Sequence, residues 1–529
     1  MPLKRAEMIE RLRAVREWDI CIIGGGATGL GIAVDAASRG LKTLLVEKFD
    51  FAKGTSSRST KLVHGGVRYL QQGNIKLVME ALRERGILLK NAPHLVKNQA
   101  FIVPNYKWWE GPYYGIGLKV YDWMAGSLGF GPSEFLSKEQ TLALAPTLDP
   151  EGLRGGVLYH DGQFDDARLA IHLAMSAADH GATVINYMNV EGLLKANGKI
   201  YGVIAKEMLD DASIDRASYE IKAKAVINAT GVFTDSILKM DDAKAESLVT
   251  MSQGIHIVLD REFLPSDTAI LIPRTNDKRV LFAVPWHNKI IVGTTDTPVD
   301  HASAEPIPLK EEIEFILHHI QKYLAKDPGR SDIRSVFAGL RPLVRGQSKS
   351  TAALSRDHHI TISGSELITI TGGKWTTYRK MAEDVLEIAI HKIGFEDIDS
   401  LATGSKTKDL PIHGYKEATD FNSPLYYYGA DEQGIQTIIN DDKTLGEKIH
   451  PSLPFLKAEI IWGVRNEMCM RVEDFLSRRT RALLLDAQAA IESAPMVAEI
   501  MVREMQKDEN WMQNQIASFR SVARNYLPN

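Results

Sequence analysis

The sequence predicts an α/β fold with an inserted antiparallel sheet and a C-terminal α-helical domain. Three observations support this fold class: a strand–turn–helix–strand unit at residues 19–47, several strand-like runs within residues 251–300, and helical patterning from about 430 to 523. A strand–helix–strand unit is typical of a parallel sheet, whereas short apolar runs separated by turns favour an antiparallel one. At 529 residues the chain exceeds one ordinary core, so two or three domains are expected.

Residues 19–47 carry the most informative local pattern. A buried strand leads into a G-x-G-x-x-G turn formed by Gly24, Gly26 and Gly29, and a helix and a second strand follow, ending at Glu47. Gly24 permits the tight turn, Gly26 lets the backbone approach a pyrophosphate, and Gly29 lets the helix pack close to the strand. Glu47 lies where it can accept hydrogen bonds from both ribose hydroxyls. The pattern predicts a dinucleotide site. The motif alone does not separate FAD from NAD, but its N-terminal position favours FAD.

Later segments could supply further contacts to such a cofactor. Residues 54–70 form a loop rich in hydroxyl groups and glycine, which fits a phosphate or a flavin edge but also an ordinary polar loop. Residues 221–231 read as a buried strand that ends in a glycine turn. Residues 367–380 read as a strand, a Gly-Gly turn and a helix beginning near Lys374. A helix N-terminus with a lysine would stabilise negative charge near N1 of a reduced flavin.

The composition excludes several classes of protein. Lys and Arg number 63 and Asp and Glu 67, a net charge of -4 that does not indicate a nucleic-acid partner. The two cysteines, Cys21 and Cys469, cannot form a disulfide framework or a four-cysteine cluster, so a reduced cytosolic environment and an organic electron carrier are expected. No metal site is predicted.

Two segments leave a membrane contact open. No apolar stretch reaches the roughly 18–20 residues that span a bilayer, and no signal-peptide core is present. Residues 3–17 read as a charged amphipathic helix, which would dock on the protein's own surface or lie at a membrane interface. Residues 101–130 hold a cluster of tyrosine and tryptophan residues, which are typical of membrane interfaces but also fill ordinary cores.

Five segments occur in an order that resembles a known family. They are the Gly24–Gly29 turn, Ser56-Ser57 with Lys61–Leu70, Ala229–Gly231, Gly339–Leu343 and Gly372–Arg379. Together they resemble the FAD-dependent glycerol-3-phosphate dehydrogenases, within the wider glutathione-reductase-type and D-amino-acid-oxidase-like flavoproteins. The resemblance covers roughly residues 18–400 well and extends more loosely over 410–525.

The resemblance implies a domain organisation. Residues 18–105, 150–245 and 335–400 would form a discontinuous FAD-binding domain of the glutathione-reductase/D-amino-acid-oxidase-like type. Residues 106–149 and 246–334 would form a substrate domain built on the inserted antiparallel sheet, and residues 405–529 the C-terminal helical domain.

The resemblance also implies an activity. This is oxidation of sn-glycerol 3-phosphate to dihydroxyacetone phosphate, with hydride passing from C2 to flavin N5 and electrons then passing to a membrane quinone. The resemblance further implies a peripheral protein on the inner face of the cytoplasmic membrane, commonly a homodimer, without a nucleic-acid partner.

Carried over residue by residue, the resemblance assigns site roles. The catalytic residues would be His256 and Arg341, and the substrate-binding residues would be Arg68, Tyr69, Arg356 and Lys374. The cofactor-binding residues would be Gly24, Gly26, Gly29, Glu47, Thr55, Ser56, Ser57, His64, Gly65, Gly66, Thr230, Gly231, Gly339, Gly373, Lys374 and Thr376. Arginine forks suit a phosphate dianion, and imidazole suits removal of a hydroxyl proton near neutral pH. Without the resemblance, an arginine would more often form a surface ion pair and a histidine beside Ile and Val would more often belong to the core.

Several alternatives remain open at this stage. A glycerol-3-phosphate oxidase would pass electrons to O2, and an amine-type oxidase would bind a carboxylate where the arginine set suits a phosphate better. A non-catalytic flavin-carrying membrane module would not need both His256 and Arg341. A soluble NAD-dependent dehydrogenase is disfavoured because cofactor-like segments recur along the chain. Either His256 or Arg341 could take the proton.

Overall fold

The computed structural model describes residues 2–66, 74–209, 217–273, 275–276, 279–345, 357–394 and 404–528. The strands are β1 Trp18–Ile23, β2 Thr43–Val46, β3 Leu62–Val63, β4 Val96–Asn105, β5 Glu134–Ser137, β6 Gly155–Phe164, β7 Thr183–Ile185, β8 Met188–Ala196, β9 Lys199–Glu207, β10 Ser218–Asn228, β11 Val249–Asp260, β12 Ala269–Ile272, β13 Leu281–Trp286, β14 Lys289–Gly293, β15 Thr297–Val299, β16 Ser335–Val344, β17 His358–Ile362 and β18 Ile368–Gly372. The α-helices are α1 Arg5–Ala14, α2 Ala27–Ser38, α3 Ile75–Asn91, α4 Glu110–Ala125, α5 Lys138–Leu144, α6 Asp166–Asp179, α7 Thr234–Asp241, α8 Lys310–Gln321, α9 Tyr378–Ile393, α10 Glu432–Asp441, α11 Ala458–Asn466, α12 Val472–Asp474, α13 Ala482–Leu485, α14 Ala487–Met505 and α15 Glu509–Ala523.

The first sheet has a parallel centre in the order β18, β10, β1, β2, β7. All six residues of β1 are buried, as expected for a strand covered on both faces. Helix α2 packs against this sheet and against α9, and a Cβ on Gly31 would lie 2.8 Å from the Tyr378 ring. The strand, glycine turn, helix and strand predicted at residues 19–47 are therefore confirmed.

The second sheet is largely antiparallel and contains the predicted inserted strands. Its order is β15, β11, β14, β13, β12, β4, β6, β3, with β16 paired to β11 and β5 paired to β6. The predicted domain limits place residues 96–105, 155–164 and 335–344 with the FAD-binding domain, whereas these strands hydrogen-bond within the second sheet. Pairing between strands distant along the chain leaves no local pattern, and the limits of the domains as units stay a prediction.

The C-terminal helices pack onto the first sheet and share its apolar core, which includes Ile20 and Leu476. Buried charges lie at this junction: Asp50 accepts hydrogen bonds from Arg478 Nε at 2.6 Å and Arg479 Nη1 at 2.7 Å. The desolvation of such groups is tolerable only when each charge is paired, as it is here.

The two candidate membrane segments differ in their burial. Helix α1 packs Met8 and Leu12 into the protein, so its interpretation as a helix docked on the protein's own surface is confirmed. The aromatic residues of the second segment differ in burial: Tyr121 is buried, whereas the side chains of Trp108 and Trp123 are 78% and 82% exposed. Within the described residues, no helix is both long and apolar enough to cross a bilayer.

Candidate functional site

A cavity of about 840 Å³ opens at the carboxyl ends of β1, β2, β10 and β18. This edge of a parallel sheet is where open α/β folds bind their ligands. The predicted cofactor residues that line the cavity are Gly24, Gly26, Glu47, Thr55, Ser56, Thr230, Gly231, Gly373 and Lys374. They come from four separate parts of the chain, as contacts spread along an extended dinucleotide would.

The glycine turn is packed too closely for side chains. Gly24 has a φ of +113°, and a Cβ there would lie 2.7 Å from the carbonyl oxygen of Ala229. A Cβ on Gly29 would lie only 1.9 Å from the carbonyl oxygen of Gly24. Helix α2 consequently starts directly against β1, with its first N–H groups at the cavity wall, where phosphate is favoured.

Glu47 lies at the end of β2 and is held by the turn. Its carboxylate accepts hydrogen bonds from Gly25 N at 2.6 Å and Phe49 N at 2.8 Å. Burial raises the pKa of Glu47, and the two backbone donors oppose that rise. An acid fixed in the cavity wall in this way fits the predicted role of accepting hydrogen bonds from ribose hydroxyls.

The other predicted cofactor residues lie off this wall. His64, Gly66, Gly339 and Thr376 line two smaller neighbouring cavities. Gly29, Ser57 and Gly65 line none of the three cavities. Gly29 acts through packing, as predicted from its position in the motif.

Trp375 lines the large cavity and is not among the predicted residues. Its indole Nε1 donates to the carbonyl oxygen of Ser56 at 2.8 Å. The bond joins the Gly-Gly segment after β18 to the hydroxyl-rich loop. The sequence could have pointed to Trp375, because it directly follows Lys374 in a segment that the resemblance covers.

The two smaller cavities form one cleft beside the large one. The first, of about 200 Å³, is lined by His256, Arg341 and Lys374. Lys374 also lines the large cavity, so the cofactor site and the cleft share a wall. The second, of about 470 Å³, shares Arg341, Thr60, Leu62 and His64 with the first. The structure thus brings the predicted site residues His256, Arg341 and Lys374 together, and their roles stay predictions.

His256 is a buried, neutral imidazole. Its Nε2 lies 2.9 Å from Thr60 Oγ1, and its ring stacks on Phe337 with centroids 4.8 Å apart. Burial, aided by the positive charges of Lys61 and Arg341, lowers the pKa of His256 well below 6.5. Its Nδ1 has no hydrogen-bond partner among the described residues. A neutral imidazole of this kind can accept a proton at neutral pH.

Arg341 lies across the backbone of Gly254, where a Cβ would be 2.2 Å from its Nη2. Its guanidinium donates to Thr294 Oγ1 at 3.0 Å and to the carbonyl oxygen of Thr295 at 2.9 Å. These contacts orient the fixed positive charge at the junction of the two smaller cavities. Thr60 was singled out only as part of the hydroxyl-rich loop, and no sequence signal pointed to Thr294 or Thr295.

Three predicted substrate residues, Arg68, Tyr69 and Arg356, lie outside the described residues. Their roles therefore stay predictions. Among the described residues, no group of three or more His, Cys, Asp and Glu side chains could hold a metal ion.

Comparison with known proteins gives consistent matches over almost the whole chain. Residues 19–379 match the family described as FAD dependent oxidoreductase, and residues 358–512 match the C-terminal domain of alpha-glycerophosphate oxidase. The mitochondrial glycerol-3-phosphate dehydrogenase of Homo sapiens is 41% identical over 558 residues, which cover 98% of this chain and 75% of the relative. The enzyme of the same name from Schizosaccharomyces pombe is 38% identical, with 96% and 87% covered.

Solved structures agree with these matches. The glycerol-3-phosphate dehydrogenase from Bacillus halodurans, solved in complex with FAD, superimposes with a TM-score of 0.80 at 29% identity and covers 99% of this chain and 98% of its own. The FAD-bound L-alpha-glycerophosphate oxidase from Mycoplasma pneumoniae has a TM-score of 0.56 at 18% identity, with 71% of this chain and 95% of its own covered. The second likeness shows a shared fold alone.

Proposed function

Because the chain belongs to the FAD-dependent glycerol-3-phosphate dehydrogenase family, we propose that it oxidises sn-glycerol 3-phosphate to dihydroxyacetone phosphate. The observation that carries this assignment is the shared wall between the dinucleotide cavity and a cleft holding a neutral histidine beside an arginine. An alcohol dehydrogenation needs these parts together: a hydride acceptor, a base for the hydroxyl proton, and a positive charge beside the developing alkoxide.

Three residues of the cleft have distinct roles in the proposed reaction. Bound FAD supplies the hydride acceptor. His256 takes the proton of the C2 hydroxyl, since its lowered pKa keeps the imidazole neutral. Arg341 cannot take that proton because a guanidinium stays protonated in proteins, so its part is to stabilise negative charge on the C2 oxygen. Thr60 orients the imidazole through its contact with Nε2.

Lys374 and the turn before α9 complete the wall between the two sites. Lys374 stands at the N-terminal end of the short 3₁₀ helix Trp375–Thr377, which leads directly into α9. A lysine and a helix N-terminus both favour a neighbouring negative charge. This end of the cavity therefore suits the cofactor's reduced, anionic form, as expected from the sequence.

The substrate and the acceptor class can be tested together. Glycerol 3-phosphate, added without oxygen, is expected to bleach the flavin absorption of the purified holoenzyme, and a soluble quinone is expected to restore it. Restoration by air alone, with one peroxide per flavin, would instead indicate an oxidase. A flavin that glycerol 3-phosphate fails to bleach would contradict the proposed substrate. The oxidase alternative is not favoured, because the relatives at 38–41% identity are named dehydrogenases.

Helix α4 supports a membrane quinone as the acceptor. Its outer face exposes Tyr113, Ile116 and Trp123, at 55%, 65% and 82%. An exposed aromatic and aliphatic face of this kind suits the interface of a bilayer. Tyr113 and Ile116 also line the 470 Å³ cavity, together with Tyr114 and Leu118 of the same helix, and the lining of that cavity includes Arg341. A hydrophobic acceptor could thus pass from the membrane along α4 to the redox site.

We propose that the protein associates peripherally with a membrane and passes its electrons to a quinone, and the inner face of the cytoplasmic membrane, which the resemblance implies, stays a prediction. The homodimer implied by the resemblance also stays a prediction. Among the described residues, Trp108 and Trp123 are the large apolar side chains most exposed to solvent, and neither lines any of the three cavities. They allow membrane contact to be tested separately from catalysis.

Replacing both Trp108 and Trp123 by serine is expected to weaken membrane binding by at least about tenfold, because burial of one large apolar side chain contributes about 1.5–3 kcal/mol. Binding is measured by co-sedimentation with phosphatidylglycerol–phosphatidylethanolamine vesicles. Turnover with a soluble quinone should not change, whereas turnover with a long-chain quinone in the vesicles should fall. Phe421→Ser, which alters an exposed aromatic residue in the C-terminal region, is the control. Equal vesicle binding by all three proteins would contradict a membrane role for α4.

A further inference from the structure

A cluster of buried ions anchors the hydroxyl-rich loop. Lys61 Nζ donates to Asp166 Oδ2 at 2.6 Å, and both side chains are fully buried. Arg481, which is also buried, donates from Nη2 to Asp166 Oδ1 at 3.1 Å, and its Nε lies 3.7 Å from Asp165 Oδ1. Lys61 Nζ and Arg481 Nη2 both donate to the carbonyl oxygen of Ser57, at 2.8 and 2.6 Å. Two cations and two carboxylates thus hold the loop from within the protein.

The anchored part of the loop contains the residue that contacts the imidazole. Thr60 Oγ1 lies 2.9 Å from His256 Nε2, and Asp166 binds both neighbours of Thr60 in the chain. Ser59 donates to Asp166 Oδ2 from its N at 3.0 Å and from its Oγ at 2.7 Å. Lys61 has a φ of +63°, a left-handed conformation that residues other than glycine rarely adopt. Such strain persists only where the surroundings hold it, and here they include the bonds to Asp166.

The cluster also brings a positive charge close to the imidazole. Lys61 Nζ lies 5.2 Å from the centroid of the Phe337 ring, on which the His256 ring stacks. Burial lowers the pKa of Lys61 to about 8, and Asp166 opposes that fall, so Lys61 is chiefly an ammonium ion at neutral pH. Besides burial, the charges of Lys61 and Arg341 lower the pKa of His256. Lys61 thus acts on the base both through the loop and through its charge.

Resting on the proposed function, we propose that Lys61 is a positioning residue for the reaction, which fixes Thr60 against the imidazole of His256 and keeps a positive charge beside that ring. Lys61 lines none of the three cavities, so it acts through these two residues and not by touching the substrate. Arg481, directly before α13, extends the arrangement to the C-terminal helices because it holds Asp166 in place. The charge keeps the imidazole unprotonated when the substrate arrives.

The test is anaerobic stopped-flow reduction of the flavin by glycerol 3-phosphate, recorded against pH for the holoenzyme carrying Lys61→Gln. Loss of a neighbouring positive charge raises the pKa of an imidazole, so the acid limb of the rate should move to higher pH by about one unit. The plateau rate above that limb should fall about tenfold, since displacement of a reacting group by about 1 Å can cost as much as about 10²-fold. Lys61→Arg keeps the charge and should keep the wild-type acid limb. A purely structural role would lower flavin content and leave the limb in place in both variants.

Lys289→Gln is the matched control, because Lys289 is buried, pairs with Asp260 at 2.6 Å and lines none of the three cavities. Its plateau rate and acid limb should match those of the wild type.

Ser59→Ala is a milder variant that removes hydrogen bonds of the loop and no charge. It should lower the plateau rate about threefold and leave the acid limb in place. Wild-type flavin that glycerol 3-phosphate cannot reduce would refute the proposed function. With a reducible wild type, a flavin-bound Lys61→Gln protein that keeps the wild-type acid limb would refute the role of Lys61 alone. If neither Lys61 variant retains flavin, an unchanged plateau rate in Ser59→Ala would refute that role.

Discussion

Replacement of His256 by asparagine is expected to lower the rate constant for flavin reduction by glycerol 3-phosphate about 10²- to 10⁴-fold, the usual contribution of a positioned general base. The loss is expected because His256 is the neutral base of the site. The neighbouring Arg341 cannot replace it, since a guanidinium stays protonated in proteins. Binding of the phosphate group does not involve the imidazole, so the substrate's dissociation constant should change far less. Stopped-flow reduction under anaerobic conditions measures both quantities.

The pH dependence gives this prediction a second readout. The folded protein lowers the pKa of His256 well below 6.5, chiefly through burial, so the base is unprotonated throughout the neutral range. The reduction rate of the wild type should consequently stay level as pH falls from 8 to about 6.5 and decline only below that. In His256→Asn this acid limb should vanish along with most of the rate.

The exposed His318 on α8 allows a control, since His318→Asn removes an imidazole away from the three cavities. It should retain both the rate and the acid limb. A His256→Asn protein with bound flavin and a reduction rate within threefold of the wild type would contradict the role of His256 as the base.

Replacement of Gly29 by alanine is expected to yield a protein that no longer retains FAD. The added Cβ would lie 1.9 Å from the carbonyl oxygen of Gly24 and 3.4 Å from Ile22 Cγ2. Because the first obstacle is backbone, no change of rotamer relieves it, and α2 must move away from β1. Such overpacking costs about 1–3 kcal/mol or more and displaces the N–H groups that face the phosphates.

Flavin content after purification and thermal unfolding, with and without added FAD, measure this effect. Gly364→Ala is the matched control, because nothing lies within 4 Å of a Cβ at that position. The control should bind a full complement of flavin and keep its unfolding temperature. Stoichiometric FAD in Gly29→Ala, with an unchanged unfolding temperature, would show that the turn is less constrained than its packing indicates.

The dinucleotide unit could be predicted from the sequence because its determinants are local. The turn, helix and strand at residues 19–47 depend on glycines and apolar runs that lie close together in the sequence. The acid, Glu47, falls at the end of the same unit. The resemblance then supplied His256, Arg341 and Lys374, which the fold brings into one cleft. The identity of the cofactor and the family was thus available before any coordinates.

Contacts between distant segments were decided by the tertiary structure alone. Thr60 and His256 are 196 positions apart, and Arg279, Asp296 and Arg341 come from separate parts of the second sheet region. Buried pairs such as Asp50 with Arg479 join the C-terminal helices to the first sheet across 429 positions. A charged or hydroxyl side chain carries no local sign of its partner, because its burial is stabilised only after the whole chain has placed an opposite charge beside it. The sequence by itself determined the cofactor-binding unit and the family; the fold decided which polar groups face the substrate.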